Sequence, residues 1–206
     1  MSLQEDTYRT LKAPSTQVLF KDRNSKFYGY AFPIQTNDDI KDCLTQIKSQ
    51  HSSAGHHCFA FQTGVEKKYH RTSDDGEPSN SAGQPIYGQI LSHDLTDVLI
   101  VVVRYFGGTK LGVGGLINAY RTTAKLAIEN APVIVRTIDQ KLELNFAYKH
   151  MSAVMRIIKE ENLKISDQRL ELDCTIKVHV RKKKVTQTLA RFEKLHEVQV
   201  DIKALN

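Results

Sequence analysis

The stretch Asp97–Tyr120, DVLIVVVRYFGGTKLGVGGLINAY, joins the most apolar run of the chain to its densest cluster of glycines. Val98, Leu99, Ile100, Val101, Val102 and Val103 are continuous and rich in β-branched residues, without the alternation of a strand that has a wet side. They predict a central strand covered on both faces. Gly107, Gly108, Gly112, Gly114 and Gly115 follow. Each ordered glycine costs on the order of 0.5–1 kcal/mol relative to alanine, so the cluster requires either tight turns or a group that approaches the backbone closely. Leu116, Ala119, Tyr120, Thr123 and Ala127 then repeat at helical spacing, up to a stop at Asn130 and Pro132.

Strand, glycine loop and helix in this order can seat an anion on the free N–H groups and positive dipole end of the helix. Arg104, Lys110 and Arg121 add charge nearby in sequence. The standard fingerprints do not match. A Walker loop from Gly107 meets Val113 where lysine belongs, and a dinucleotide fingerprint from Gly112 meets Ile117 where its third glycine belongs. Anion binding and a purely structural glycine turn both stand at this point.

Upstream, Arg71–Gly88 (RTSDDGEPSNSAGQPIYG) reads as a loop with a role. Asp74, Asp75 and Glu77 surround the turn residue Gly76 and precede Pro78. Three hard oxygen donors this close suit Mg²⁺ beside a phosphate ligand. The reading preferred on spacing is an acidic turn before a helix capped by Ser81 or Ser79, with Pro85 in its first turns. Ser79–Gly83 misses the G-x-S-x-G nucleophile elbow, having serine where the first glycine belongs.

Together the two stretches resemble the YigZ/Impact family. The resemblance rests on Asp74-Asp75-Gly76-Glu77-Pro78-Ser79 and Ala82-Gly83-x-Pro85, then Val103–Gly108, Leu111-Gly112, Gly114-Gly115-Leu116 and Ala119-Tyr120. It covers residues 16–131, and this chain departs from it at Asn80-Ser81, where the family has glycine then threonine. Asparagine tolerates left-handed backbone angles better than most residues. The resemblance implies an α+β fold, with a first domain over residues 1–132 like the second domain of a small-subunit ribosomal protein and the fourth domain of elongation factor G. It implies a small second domain over 138–206, as in bacterial two-domain members, and a link to translation or RNA by fold analogy. Eukaryotic relatives are associated with restraining a kinase of translation through a further N-terminal domain, for which this chain has no room, so kinase regulation does not transfer.

Gln17–Phe20 and Phe27–Pro33 predict a hairpin turning at Asn24-Ser25. Thr36 and Asp39 predict a capping box for a helix with an Ile40, Cys43, Leu44, Ile47 face, ending near His51. His57–Thr63 predicts a strand with Cys58 and Ala60 on one face and Phe59 and Phe61 on the other. Neighbouring His56 and His57 therefore point apart and do not share a metal. Residues 131–137 read as the domain boundary. Beyond it, alternation in Leu142–Phe146, Leu163–Ile165, Leu170–Val180 and Val198–Ile202, with helix faces at Met151–Ile158 and Val185–Phe192, gives the order β-α-β-β-α-β of a ferredoxin-like domain. Its strands carry no RNA-binding aromatic pattern. Arg181, Lys182, Lys183 and Lys184 form a basic run at the start of its second helix, either a phosphate grip or a solvated helix end.

The 206 residues carry a formal charge of +6, with 29 Lys and Arg against 23 Asp and Glu. A surplus this modest permits nucleic-acid binding without demanding it. Cys43, Cys58 and Cys174 are far apart and odd in number, against both a disulfide framework and a zinc site. No apolar run approaches ~20 residues and no secretory signal opens the chain, so a cytoplasmic protein without a membrane segment is expected. Two functions follow. One is a noncatalytic RNA- or ribosome-binding, translation-associated protein that uses Asp74, Asp75, Glu77, Arg104, Gly107, Gly108, Lys110, Gly112, Gly114, Gly115, Arg121 and Arg181 to Lys184. The other is an enzyme on a phosphorylated small molecule, with phosphate at the glycine-loop helix. No catalytic residue, cofactor or metal is assigned, and the oligomeric state is not legible.

Overall fold

The computed structural model describes residues 6–65 and 68–203, so the first five residues, which bear on the expected lack of a secretory signal, lie outside the described residues. The chain divides into two compact units, one spanning Tyr8–Arg136 and the other running from Thr137 onward together with Asp6 and Thr7. Both units mix helices with antiparallel sheets. No helix among the described residues is long and apolar enough to cross a membrane.

In the first unit β1 (Thr7–Leu11) precedes a hairpin of β2 (Val18–Asp22) and β3 (Ser25–Pro33). Asp22 pairs with Ser25, so the turn is Arg23-Asn24, with φ of 42° and 65°. Two consecutive left-handed residues match the twist of the flanking strands. The expected turn at Asn24-Ser25 is one residue late, because asparagine is the obvious turn former whereas register carries Arg23 into the turn. α1 (Asn37–Gln50) starts with the expected capping box: Asp39 N donates to Thr36 Oγ1 at 3.1 Å, and Thr36 N donates to the Asp39 carboxylate at 2.8 Å. Then come β4 (His56–Thr63), β5 (Tyr69–Ser73), α2 (Gly83–Ser92), β6 (Val98–Tyr105), α3 (Gly112–Glu129) and β7 (Val133–Thr137).

The sheet order is β2-β3-β6-β4-β5, every neighbouring pair antiparallel. β6 is central, and Val98 to Val103 are fully buried. Alternation divides them: Val98, Ile100 and Val102 join Ile86, Ile90, Ala119 and Tyr120 of α2 and α3, while Leu99, Val101 and Val103 join Ile40 and Ile47 of α1. A strand sandwiched in this way has no polar face, which is why its sequence does not alternate. Residues 133–137, expected as part of a boundary, form β7, which pairs with β1. Pro132 ends the helix, yet Val133, Ile134 and Val135 are strand formers and need a partner.

The second unit runs β8 (Asp139–Ala147), α4 (Met151–Glu160), β9 (Lys164–Arg169), β10 (Asp173–Arg181), α5 (Val185–Glu193) and β11 (Val198–Lys203). Its sheet order is β11-β8-β10-β9, antiparallel throughout. Leu142, Leu144, Cys174, Ile176 and Val178 pack under Val154, Ile157 and Phe192 of the two helices. The leucine alternation overruns the strand. Leu170 and Leu172, expected inside it, lie in the turn before β10, 48% and 88% exposed, because β9 and β10 must reverse there to pair Arg169 with Thr175.

α1 stops at His51, whose buried ring bonds Tyr30 and Tyr105, with Gln17 bonded in turn to Tyr30. Tyr30 Oη donates to Gln17 Oε1 at 2.7 Å and lies 2.6 Å from His51 Nε2, while Tyr105 Oη lies 2.9 Å from His51 Nδ1. Since the Tyr30 proton goes to Gln17, His51 donates from Nε2 and Nδ1 accepts from Tyr105. Burial, then the neighbouring His57, lowers the His51 pKa, and burial pushes Tyr30 up to about 12. A histidine depressed in the folded state contributes stability that is full above its unfolded pKa of about 6.5 and is lost as pH falls from there through the folded value. The thermal midpoint of the wild type should therefore fall more between pH 7 and pH 5 than that of His51→Gln. Parallel pH profiles for the two proteins would refute this linkage.

Candidate functional site

The acidic loop leading into α2 holds three carboxylates, and each has a different task. Asp74 Oδ1 accepts from Ala82 N at 3.0 Å and Gly83 N at 2.8 Å, and its Oδ2 accepts from Asn80 N at 2.8 Å. Asp74 therefore satisfies the start of α2, where a negative charge also meets the helix dipole favourably. The expected caps do not form. Ala82 occupies the N-cap, and Ser81 Oγ donates instead to Pro78 O at 2.6 Å. A Cβ on Gly83 would lie 2.8 Å from Ser73 N, so only glycine lets the helix start close enough for Asp74 to reach it. Asn80 takes the left-handed conformation, φ 61°, that its residue type suggests.

Asp75 braces the start of β4. Its Oδ2 accepts from His57 N at 2.6 Å, and its carbonyl oxygen lies 2.8 Å from His56 Nδ1. Glu77 turns inward and is 9% exposed. It receives Arg104 Nη1 on both oxygens, at 2.8 and 3.1 Å, and Tyr120 Oη at 2.8 Å. Among the described residues no group of three metal-ligating side chains could hold an ion. The geometry explains this, since the three carboxylates diverge.

Arg104, one residue before the end of the central strand and 5% exposed, lies over the rings of Phe27 and Phe106, 5.5 and 5.4 Å from their centroids. Its Nη2 lies 3.4 Å from Ser25 Oγ, which also accepts from Gly107 N at 3.1 Å, while its Nε has no partner among the described residues. Cys58 Sγ sits 2.9 Å from Asp74 O and 3.4 Å from Tyr120 Oη. Burial pushes both the Cys58 thiol and the Tyr120 hydroxyl up, so each keeps its proton. Sequence reasoning missed Ser25, Cys58 and Tyr120 as members of this network; the only signal was Tyr120 at the end of the glycine motif.

The glycines divide by role. A Cβ on Gly107 would lie 2.1 Å from Asn24 C, so the loop packs directly on the hairpin. Gly108 and Gly112 have φ of 87° and 74° and turn the chain. α3 begins at Gly112, so Gly112, Gly114 and Gly115 belong to its first turn rather than to the loop before Leu116. The first turn makes few intrahelical N–H bonds, which lessens the helix's demand for good formers there. Gly114 has open space where a Cβ would stand and no positive φ. No side chain caps this helix start and no acidic residue lies in its first turn. Lys110 and Arg121 are exposed, and Arg121 lines a cleft of about 450 Å³ with Asn80, Gln84 and Ile117.

The structure thus joins Asp74, Asp75, Glu77, Arg104 and Gly107 in one packed polar network, and gathers Gly112, Gly114 and Gly115 at the start of α3. The basic run belongs to the other unit. Arg181 makes two hydrogen bonds to Asp6, at 2.5 and 3.0 Å, and Lys182 to Lys184 form a 3₁₀ turn ahead of α5, with Lys183 and Lys184 exposed. Glu77→Gln keeps the shape of the network but leaves the buried Arg104 charge without its counter-ion, so urea unfolding should register a loss of about 3–5 kcal/mol. Replacing both partners, as Glu77→Leu with Arg104→Met, should recover most of it. Equal losses in the single and double variants would show that the charge pairing is not what matters.

A family model described as the Impact N-terminal domain matches residues 23–128. Over 197 residues the chain is 26% identical to the IMPACT family member YvyE of Bacillus subtilis, covering 96% of this chain and 90% of that one. It is 26% identical over 181 residues to YigZ of Escherichia coli, covering 87% and 88%. A crystal structure described as that of a hypothetical protein has the same fold, with a TM-score of 0.75 at 24% identity over 98% of both chains. The motifs that match, and the buried network they build, place this chain in the Impact family, to which it belongs together with YigZ.

Proposed function

We propose that this protein is a noncatalytic, translation-associated RNA- or ribosome-binding protein whose phosphate seat is the start of α3. The observation that carries the reading is that helix start: exposed first-turn glycines, no side-chain cap, no acidic residue, and Lys110 and Arg121 exposed nearby. Free N–H groups and the dipole favour an anion there. Binding is favoured over chemistry because the carboxylates that a base or metal would need are committed, Asp74 to α2, Asp75 to β4 and Glu77 to Arg104. The finer fold assignments belong to the same proposal. The order β11-β8-β10-β9 supports a ferredoxin-like second unit, and likeness of the first unit to the fourth domain of elongation factor G would link it to the ribosome by analogy. Lys183 and Lys184 offer a second phosphate grip. An enzyme acting on a phosphorylated small molecule is the second reading, favoured by the cleft beside Arg121.

Gly114→Asp separates binding from folding. A carboxylate in the first turn of α3 should stabilise the helix by about 0.3–1 kcal/mol while repelling phosphate. The variant should melt at a higher temperature yet bind ribosomes or RNA more weakly. Its plot of log affinity against log salt should be shallower by roughly 0.7–0.9 for each phosphate that is no longer neutralised. Absence of salt-sensitive binding to ribosomes, single-stranded RNA and duplex RNA would end the RNA reading. Stabilisation of the wild type by phosphorylated small molecules, abolished in Gly114→Asp, would then put the second reading in its place.

A further inference from the structure

At the end of the first unit's sheet near the C-terminus of α1, the half-buried Tyr28 and Tyr105 form a stretch with a composition of its own. Lys26, Tyr28 and Tyr30 share one face of β3, and Tyr105 pairs with Lys26 across β6. Tyr30 lies under α1 with Ile40 and Ile47. Tyr28 and Tyr105 instead floor an open cavity of about 540 Å³, which Phe106, Asn24, Gln50 and Lys26 also line. The Tyr28 and Tyr105 rings meet edge to face, 5.7 Å between centroids. Phe106 is 56% exposed, an unusual position for so large a ring, and it is held from behind by the Arg104 guanidinium. The hydroxyl of Tyr105 is held by His51. These rings are therefore fixed before anything binds.

The charges around the cavity point to its ligand. Lys21 and Lys26 are directly opposed in the β2–β3 register, and like charges so placed destabilise a hairpin. Among the described residues neither has a carboxylate within ion-pairing distance, and the same holds for Arg23 at the turn and for Lys110, whose carbonyl lies 3.5 Å from Arg23 Nη1. Asp22, the acidic residue of this hairpin, falls on the opposite face of the strand from Lys21. A site with aromatic faces, amide groups for ring edges and unpaired cations for a backbone matches the demands of an unpaired nucleotide in a strand.

We infer that the open cavity at the end of this sheet, floored by Tyr28 and Tyr105 and walled by Phe106, is a stacking platform for an unpaired base of single-stranded RNA. The inference rests on the RNA reading above and adds to it which strand form is taken and by which residues. The cations of the hairpin hold the backbone that carries the base.

The chain has no tryptophan, so Phe106→Trp provides a single indole reporter that retains the stack on Arg104. Using the full chain, its emission would be followed with an oligoadenylate of about ten nucleotides and with the same ribose-phosphate strand lacking bases. Quenching by the first and not by the second is expected. With labelled strands, Phe106→Ala and, on a different element, Tyr28→Leu should each weaken oligoadenylate binding about five- to a hundredfold without altering the salt slope. Lys26→Ala should instead lower that slope by about 0.7. Thermal melts keep folding defects apart from binding defects. Equal binding of base-bearing and base-free strands, or an indole that no base quenches, would overturn the platform while leaving backbone or ribosome binding through α3 intact. Loss of the RNA reading itself would show differently, as absence of salt-sensitive binding to every RNA and to ribosomes, and would overturn the platform with it.

Discussion

The ion pair between Arg104 and Glu77 ties together four segments that sequence holds apart: the end of the central strand, the acidic loop, α3 through Tyr120, and the β2–β3 hairpin through Ser25. Two charges at 5% and 9% exposure are costly to desolvate, and such a pair is seldom a net source of stability. Here the surroundings offset part of that cost. Glu77 accepts three hydrogen bonds, and the guanidinium lies over two aromatic rings, Phe27 and Phe106. What the pair contributes is specificity, because an alternative path for the acidic loop would leave a buried charge alone. The Impact motifs are in this sense the written form of one network, and their two halves are separated in sequence because they face each other across it.

The two helices on that side of the sheet receive opposite treatment at their starts. α2 is satisfied from within the chain, by Asp74 eight residues before its N-cap position and brought there by the turn at Asp75 and Gly76. α3 has an equivalent dipole and an equivalent set of N–H groups, but neither a capping side chain nor an acid in its first turn. Glycine at 107 is demanded by contact with Asn24, and at 108 and 112 by backbone conformation, whereas Gly114 is demanded by neither. The start of α3 is thus small and uncapped, and its N–H groups and dipole are left for solvent or a ligand to satisfy.

What the sequence made legible follows the range of the forces involved. The sandwiched β6, the capping box of Thr36 and Asp39 and the alternating strands of the second unit are set by neighbours along the chain, and their patterns can be read directly. The start of α3 is obscured because glycines signal a loop by propensity, while the first turn of a helix tolerates them. The cap on α2 escapes notice because it comes from Asp74 and not from the adjacent serines. The three clustered carboxylates resemble a metal site for the same reason: proximity in sequence does not fix direction, and a left-handed turn at Asp75 and Gly76 sends them apart. Tyr28 and Tyr105 are distant in the chain and become neighbours only through β3–β6 pairing, so no local pattern announces them.

Net charge proves a weaker guide than pairing. A total of +6 is modest, and residues 138–206, in the second unit, carry 14 Lys and Arg against 10 Asp and Glu. Yet the open face of that unit's sheet pairs its charges internally, Lys177 with Asp167 at 2.8 Å and Lys203 with Glu143 at 3.2 Å. These partners hold the two carboxyls below their usual range and raise Lys177. Arg181 is likewise engaged by Asp6. The first unit, Tyr8–Arg136, carries 15 Lys and Arg against 11 Asp and Glu, and Lys21, Arg23 and Lys26 gather on one hairpin without carboxylate partners among the described residues, two of them in direct opposition. Attraction for a polyanion depends on cations whose field is not already cancelled nearby, and this hairpin gathers three of them in one short stretch.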